Sequence, residues 1–123
     1  MKDQIREEIL NYYYDLETQS TYSLEYEVAY GGVSFMHRPS KESIEKKFNE
    51  RFDIISNYVR LYSNQLKQTL KDNPKTVDFV VEMSYIIAPA IAQEHGGIPY
   101  VAIVAALLIM SRRGINYYLD DSK

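Results

Sequence analysis

Two histidines, His37 and His95, are the only strong nitrogen ligands in a chain of 123 residues that holds no cysteine. Without thiols there is no disulfide, no thiolate nucleophile and no cysteine-type zinc site. The histidines lie far apart, in His37-Arg38 and Glu94-His95, and neither takes part in a His-x-x-x-His or His-x-x-Glu-His spacing. His95, directly before Gly96-Gly97, reads as a helix-end residue bonding free carbonyls; His37, before Pro39, reads as a surface residue at a strand end. The acidic pairs Glu7/Glu8, Glu42/Glu45 and Asp120/Asp121 are not embedded in the apolar patterns that would tune a carboxyl group for acid–base work. No Gly-x-Ser-x-Gly occurs, and the Gly-Gly pairs lack the lysine and hydroxyl residue of a phosphate loop. The expectation is a protein that is not an enzyme and takes no cofactor or metal.

Two other sets of residues could bind rather than react. Arg60, Lys67 and Lys71 fall on one predicted helix face, a candidate for phosphate contacts, and Tyr22, Tyr26 and Tyr30 could form a stacking platform for bases. Glu42 and Asp53 interrupt that basic face, and Glu25 and Glu27 flank the tyrosines, which a phosphate-tracking groove would avoid. Twelve of the sixteen aromatic residues are tyrosine and none is tryptophan. Tyr12-Tyr13-Tyr14 cannot all point one way on a helix, so at least one ring lies outside the core. Tyrosine combines large contact area with a polar tip and low side-chain entropy, which suits protein interfaces. Tyr12, Tyr14, Tyr117 and Tyr118 are therefore the candidate partner-binding residues.

The elements that must position these groups read as mainly helical. Ile5, Ile9, Tyr12 or Tyr13 and Leu16 predict an amphipathic helix over residues 3–17. From Tyr22 to Tyr30, apolar or aromatic residues alternate with Ser23, Glu25, Glu27 and Ala29 before a Gly-Gly pair. This favours a small N-terminal β-hairpin, with a second strand from Val33 to His37. The same tyrosines also fall at i, i+4 and i+8, which leaves a helix capped by Gly31 as the alternative. Ser40 is a predicted N-cap, followed by a stripe of Ile44, Phe48, Phe52, Ile55, Val59, Tyr62, Leu66 and Leu70 through one long helix. Asn73-Pro74 opens a further helix, which Pro89 should kink or shorten.

Residues 98–110, IPYVAIVAALLIM, form an apolar helix ending near Arg112-Arg113-Gly114. Thirteen helical residues reach about 20 Å, short of the roughly 30 Å hydrocarbon core of a bilayer, so insertion in a membrane is disfavoured. A helix apolar all round must be surrounded by protein. Ala102, Ala105 and Ala106, with Ile109, make a small face suited to close approach, and they are the candidate oligomer interface, most simply of a C₂ dimer. The expected fold is a single helical domain over 1–123, a bundle of about four helices, one of them long.

The net charge is −3, with acidic ends and a basic middle: nine basic and five acidic residues lie in 31–75. That asymmetry suits docking between proteins, including copies of this chain, and the overall acidity argues against a dedicated DNA binder. The N-terminus MKDQIREEIL has no apolar run, so no secretory signal is expected and a cytoplasmic address is the default. The favoured function is a protein–protein interaction protein, an adaptor, inhibitor or small complex subunit acting as a homo-oligomer. A structural assembly or viral coat subunit comes second, and an accessory nucleic-acid-binding module third.

Overall fold

Serine hydroxyls open two of the helices. The Oγ atoms of Ser20 and Ser40 each accept from the backbone N–H three residues on, at 3.1 Å, and so satisfy donors that the helix itself cannot. The computed structural model describes residues 2–34, 36–69 and 75–119. Within them the order is α1 (Lys2–Leu16), α2 (Thr21–Tyr30), α3 (Lys41–Leu61), α4 (Ser63–Thr69), α5 (Thr76–His95), α6 (Tyr100–Arg113) and α7 (Ile115–Leu119). The chain is mainly helical, as its periodicity predicts, and no strand occurs among the described residues.

The expected hairpin is therefore incorrect: residues 21–30 form α2, and of the supposed second strand Val33, Ser34, Met36 and His37 lie in the connection to α3, residue 35 being outside the described residues. Leu24, Val28 and Ala29 are fully buried, a helical spacing of 4 and 1, while Tyr22 on the supposed inner face of a strand is exposed. The alternation was coincident with a narrower helical stripe, and the Ser20 cap settles the competition locally. At its far end Gly31 brings α2 against the start of α6. A Cβ there would meet the Glu27 carbonyl oxygen at 2.4 Å and Val101 Cγ1 at 2.8 Å. Gly32 then turns the chain at φ 81°, a conformation that glycine adopts at little cost.

The long stripe is also divided. It runs through α3 as expected, with Ile44, Phe48, Phe52, Ile55 and Val59 buried, but the helix is interrupted at Tyr62. The Ser63 hydroxyl donates to the Arg60 carbonyl at 2.9 Å, a local bond that competes with the helical ladder. Leu66 of α4 continues the stripe inward, while Leu61 beside it is exposed. Leu70 and the Asn73-Pro74 cap lie outside the described residues. Pro89 does not shorten α5: it sits exposed within the helix.

α6 is the central element and packs against α1, α2, α3, α5 and α7. From Ala102 to Met110 every residue is fully buried except Leu108, at 4%. Each large aliphatic side chain there contributes about 1.5–3 kcal/mol on removal from water. The proposed oligomer interface is corrected by this burial: Ala102, Ala105, Ala106 and Ile109 are covered by the chain's own helices and present no surface to a second copy. Among the described residues, no helix is long and apolar enough to cross a membrane.

Three arginines tie the elements around this core. Arg112, in the last turn of α6, donates to the carbonyls of Glu17 and Gln19 at 2.9 and 2.7 Å and to Thr21 Oγ1 at 3.4 Å. The C-terminal ends of α1 and α6 meet here, and the guanidinium offsets their partial negative charges. Arg6 of α1 pairs with Glu82 of α5 and lies 4.5 Å over the Tyr85 ring. Arg51 of α3 donates to the Val28 carbonyl at 3.2 Å, and burial lowers its pKa from the usual value.

Candidate functional site

The candidate partner-binding tyrosines divide by location. Tyr14 is 57% exposed at the end of α1, its neighbour Tyr13 meeting it edge-on at 5.4 Å. Tyr117 is 59% exposed on α7. Tyr12 is half-buried, and its hydroxyl donates to Glu8 at 3.4 Å; burial first, and the Glu8 charge second, raise its pKa. Tyr118 is not available to a partner, which corrects its assignment: it is buried edge-on against Phe52 at 6.0 Å, and Arg113 donates to its hydroxyl. The reason is the turn at Gly114, φ 114°, which folds α7 back so that one of the adjacent tyrosines faces α3 and the other faces out.

The proposed phosphate contacts fall on two helices among the described residues. Arg60 is half-buried on α3, Lys67 is exposed on α4 beyond the break at Tyr62, and Lys71 lies outside the described residues. Part of the tyrosine platform is covered from within the chain. Arg38, in the loop between α2 and α3, holds its guanidinium 4.5 Å over Tyr26 and 5.7 Å from the Tyr22 ring centre. Cation–π contacts of this kind use the same ring faces that a base would stack on.

The loop that carries Arg38 is the surface that sequence reasoning missed. Met36 is 97% exposed, Val33 is 48% exposed and Tyr22 is 52% exposed. The signal was present: Val33 and Met36, between Gly31-Gly32 and Pro39, become unpartnered apolar residues once the hairpin is removed. A groove between α2 and α3 is lined by Tyr22 and Glu25 from α2, by Lys41, Ile44, Glu45, Phe48 and Asn49 from α3, and by Arg113.

The histidines sit in different surroundings. His37 is exposed in the same loop. His95 ends α5 with its ring edge-on to Tyr58 at 5.8 Å, and Tyr58 stacks with Tyr62 at 6.3 Å. The Glu94 carboxylate beside the Tyr58 hydroxyl, with burial, pushes the Tyr58 pKa up to about 12. Among the described residues no group of three or more histidine, aspartate or glutamate side chains is placed to hold a metal ion. Comparison with known protein families, with curated proteins and with solved structures gives no match to this chain.

Proposed function

We propose that this protein is a non-enzymatic interaction protein, an adaptor, inhibitor or small complex subunit, and that its partner is another protein. The observation that carries this reading is the loop between α2 and α3. It holds Met36 almost completely in solvent and Val33 half in solvent, and its Arg38 covers Tyr22 and Tyr26. Methionine, tyrosine and arginine are the side chains enriched where proteins meet, and an apolar side chain in water gains most from being covered. Tyr14 and Tyr117 are two further exposed tyrosines, on α1 and α7. The reading does not need a homo-oligomer, because α6 is covered without one.

A photo-crosslinking residue at position 36, introduced in cells of the source organism, tests the proposal. The expected result is one discrete adduct that disappears with Tyr22→Ala while the melting temperature holds. An adduct of twice the chain's mass would identify the partner as a second copy. No adduct above that from exposed Asn57 would overturn the proposal.

A further inference from the structure

We propose that the groove between α2 and α3 binds an α-amino acid with an apolar side chain, held as its zwitterion. The groove is open to solvent along one side and has a volume of about 380 Å³, at the lower end of the roughly 300–1,000 Å³ typical of small-ligand sites. Its floor is formed by the edges of Ile44 and Phe48, core residues one turn apart on α3, and its aromatic wall by the exposed Tyr22 of α2. The rest of the lining is the amide of Asn49 and four charged side chains at the groove's solvent-facing rim: the carboxylates of Glu25 and Glu45, and the cations of Lys41 and Arg113.

The four charges are not spent on one another. Among the described residues, ion pairs join Arg6 to Glu82 and Lys47 to Glu50, and none joins the groove's carboxylates to its cations. Lys41 precedes Glu45 by four residues on α3, a spacing at which helix charges can pair, yet they do not. Arg113 is held in place by Phe52, whose ring lies 5.1 Å from its guanidinium carbon, and by its bond to the Tyr118 hydroxyl. Lys41 is the first residue of α3, so the positive end of that helix adds to its charge. A ligand carboxylate is accommodated by Lys41 and Arg113, a ligand ammonium by Glu25 and Glu45, and an apolar side chain by Ile44, Phe48 and Tyr22. A ligand with one charge alone engages only half of these four charges. This site uses no protein partner and stands whether or not the loop at Met36 has one.

The test is titration of the full chain, followed through its backbone amide NMR signals, with L-phenylalanine, N-acetyl-L-phenylalanine, L-phenylalaninamide and glycine. The expected result is saturable shifts at Tyr22, Ile44 and Phe48 with L-phenylalanine. Affinity should be about tenfold weaker for each phenylalanine derivative lacking one charge, the effect of losing one charge-assisted contact. Glycine should leave the groove signals unmoved. Glu25→Gln should weaken L-phenylalanine and leave the N-acetyl derivative unchanged; Lys41→Gln should weaken L-phenylalanine and leave the amide unchanged. Absence of saturable shifts with L-phenylalanine, shifts centred elsewhere, or equal affinity for the charged and derivatised probes would overturn the assignment.

Discussion

Arg112 shows how far a single residue's role is readable. Its place in the last turn of an apolar helix predicts a favourable pairing with that helix's own dipole, and the sequence offers nothing to connect it with residues 17–21. In the fold it bonds two carbonyls at the end of α1 and the hydroxyl of Thr21. Arg112→Ala should lower stability by about 1–2 kcal/mol, a fall in melting temperature of about 4–8 °C. Arg112→Lys should recover only part of this, because an ammonium cannot reproduce the fork of donors. Equal stability of the alanine variant and the parent would place those bonds in solvent exchange. Tyr58 makes a prediction in pH. The neighbouring Glu94 carboxylate and its burial raise its pKa to about 12, whereas in the unfolded chain it ionises near the ordinary value of about 10. Between those values the folded state binds more protons, so stability falls as pH rises from about 10 to 12. Below that window Tyr58 gives no pH dependence. Tyr58→Phe should flatten the alkaline decline and remove a late step from the tyrosinate absorbance; identical profiles would refute the coupling. The Tyr58–Glu94 pairing joins the ends of α3 and α5, a contact that no local sequence pattern reveals.

At the scale of elements, sequence patterns located helices well wherever one face alone is buried. α1 and α3 carry stripes whose spacing matches 3.6 residues per turn, and Ser40 caps α3 where its position predicts. α2 was harder to read because its tyrosines satisfy period 2 and period 4 together. Its core consists only of Leu24, Val28 and Ala29, and the tyrosines grade from half-buried to exposed. The Gly-Gly pair was readable as a turn under either alternative, but its tertiary purpose was not. Gly31 exists in this fold for approach, and Gly32 for its positive φ. Gly31→Ala sets a methyl group against backbone and against Val101, and should destabilise by about 1–3 kcal/mol as α2 is pushed from α6. Gly32→Ala has room for its Cβ, with Pro99 atoms at 3.6 and 3.8 Å, but strains the backbone, at a cost of about 1 kcal/mol. Urea denaturation of the two variants should show the larger loss at Gly31; the reverse order would mean that the junction of α2 and α6 is loose. Of the candidate sites, the tyrosine surface was legible as composition, whereas the groove was not: Tyr22, Ile44 and Arg113 are brought together only by the packing of α2, α3 and α6.

For the whole molecule, the decisive question is what covers residues 98–110. Composition alone allows a neighbouring subunit or the same chain, because both remove the same apolar area from water. The distinction is topological: α6 lies near the end of the sequence, and by then α1, α2, α3 and α5 are all available to wrap it. They do so closely enough that Ala102, Ala105 and Ala106 serve contacts within one chain, with no exposure left for another. This arrangement has a thermodynamic consequence. An obligate dimer that exposed α6 on dissociation would lose about 2.7 kcal/mol of apparent stability on a hundredfold dilution. A chain that covers α6 by itself should unfold at the same urea concentration throughout that range. A detergent-free urea titration at two protein concentrations about a hundredfold apart therefore separates the cases. A fixed midpoint means that the fold is complete in one chain and leaves the exposed loop at Met36 free for a partner. A midpoint that falls on dilution would mean that the native state requires a second copy after all, held through surfaces other than α6.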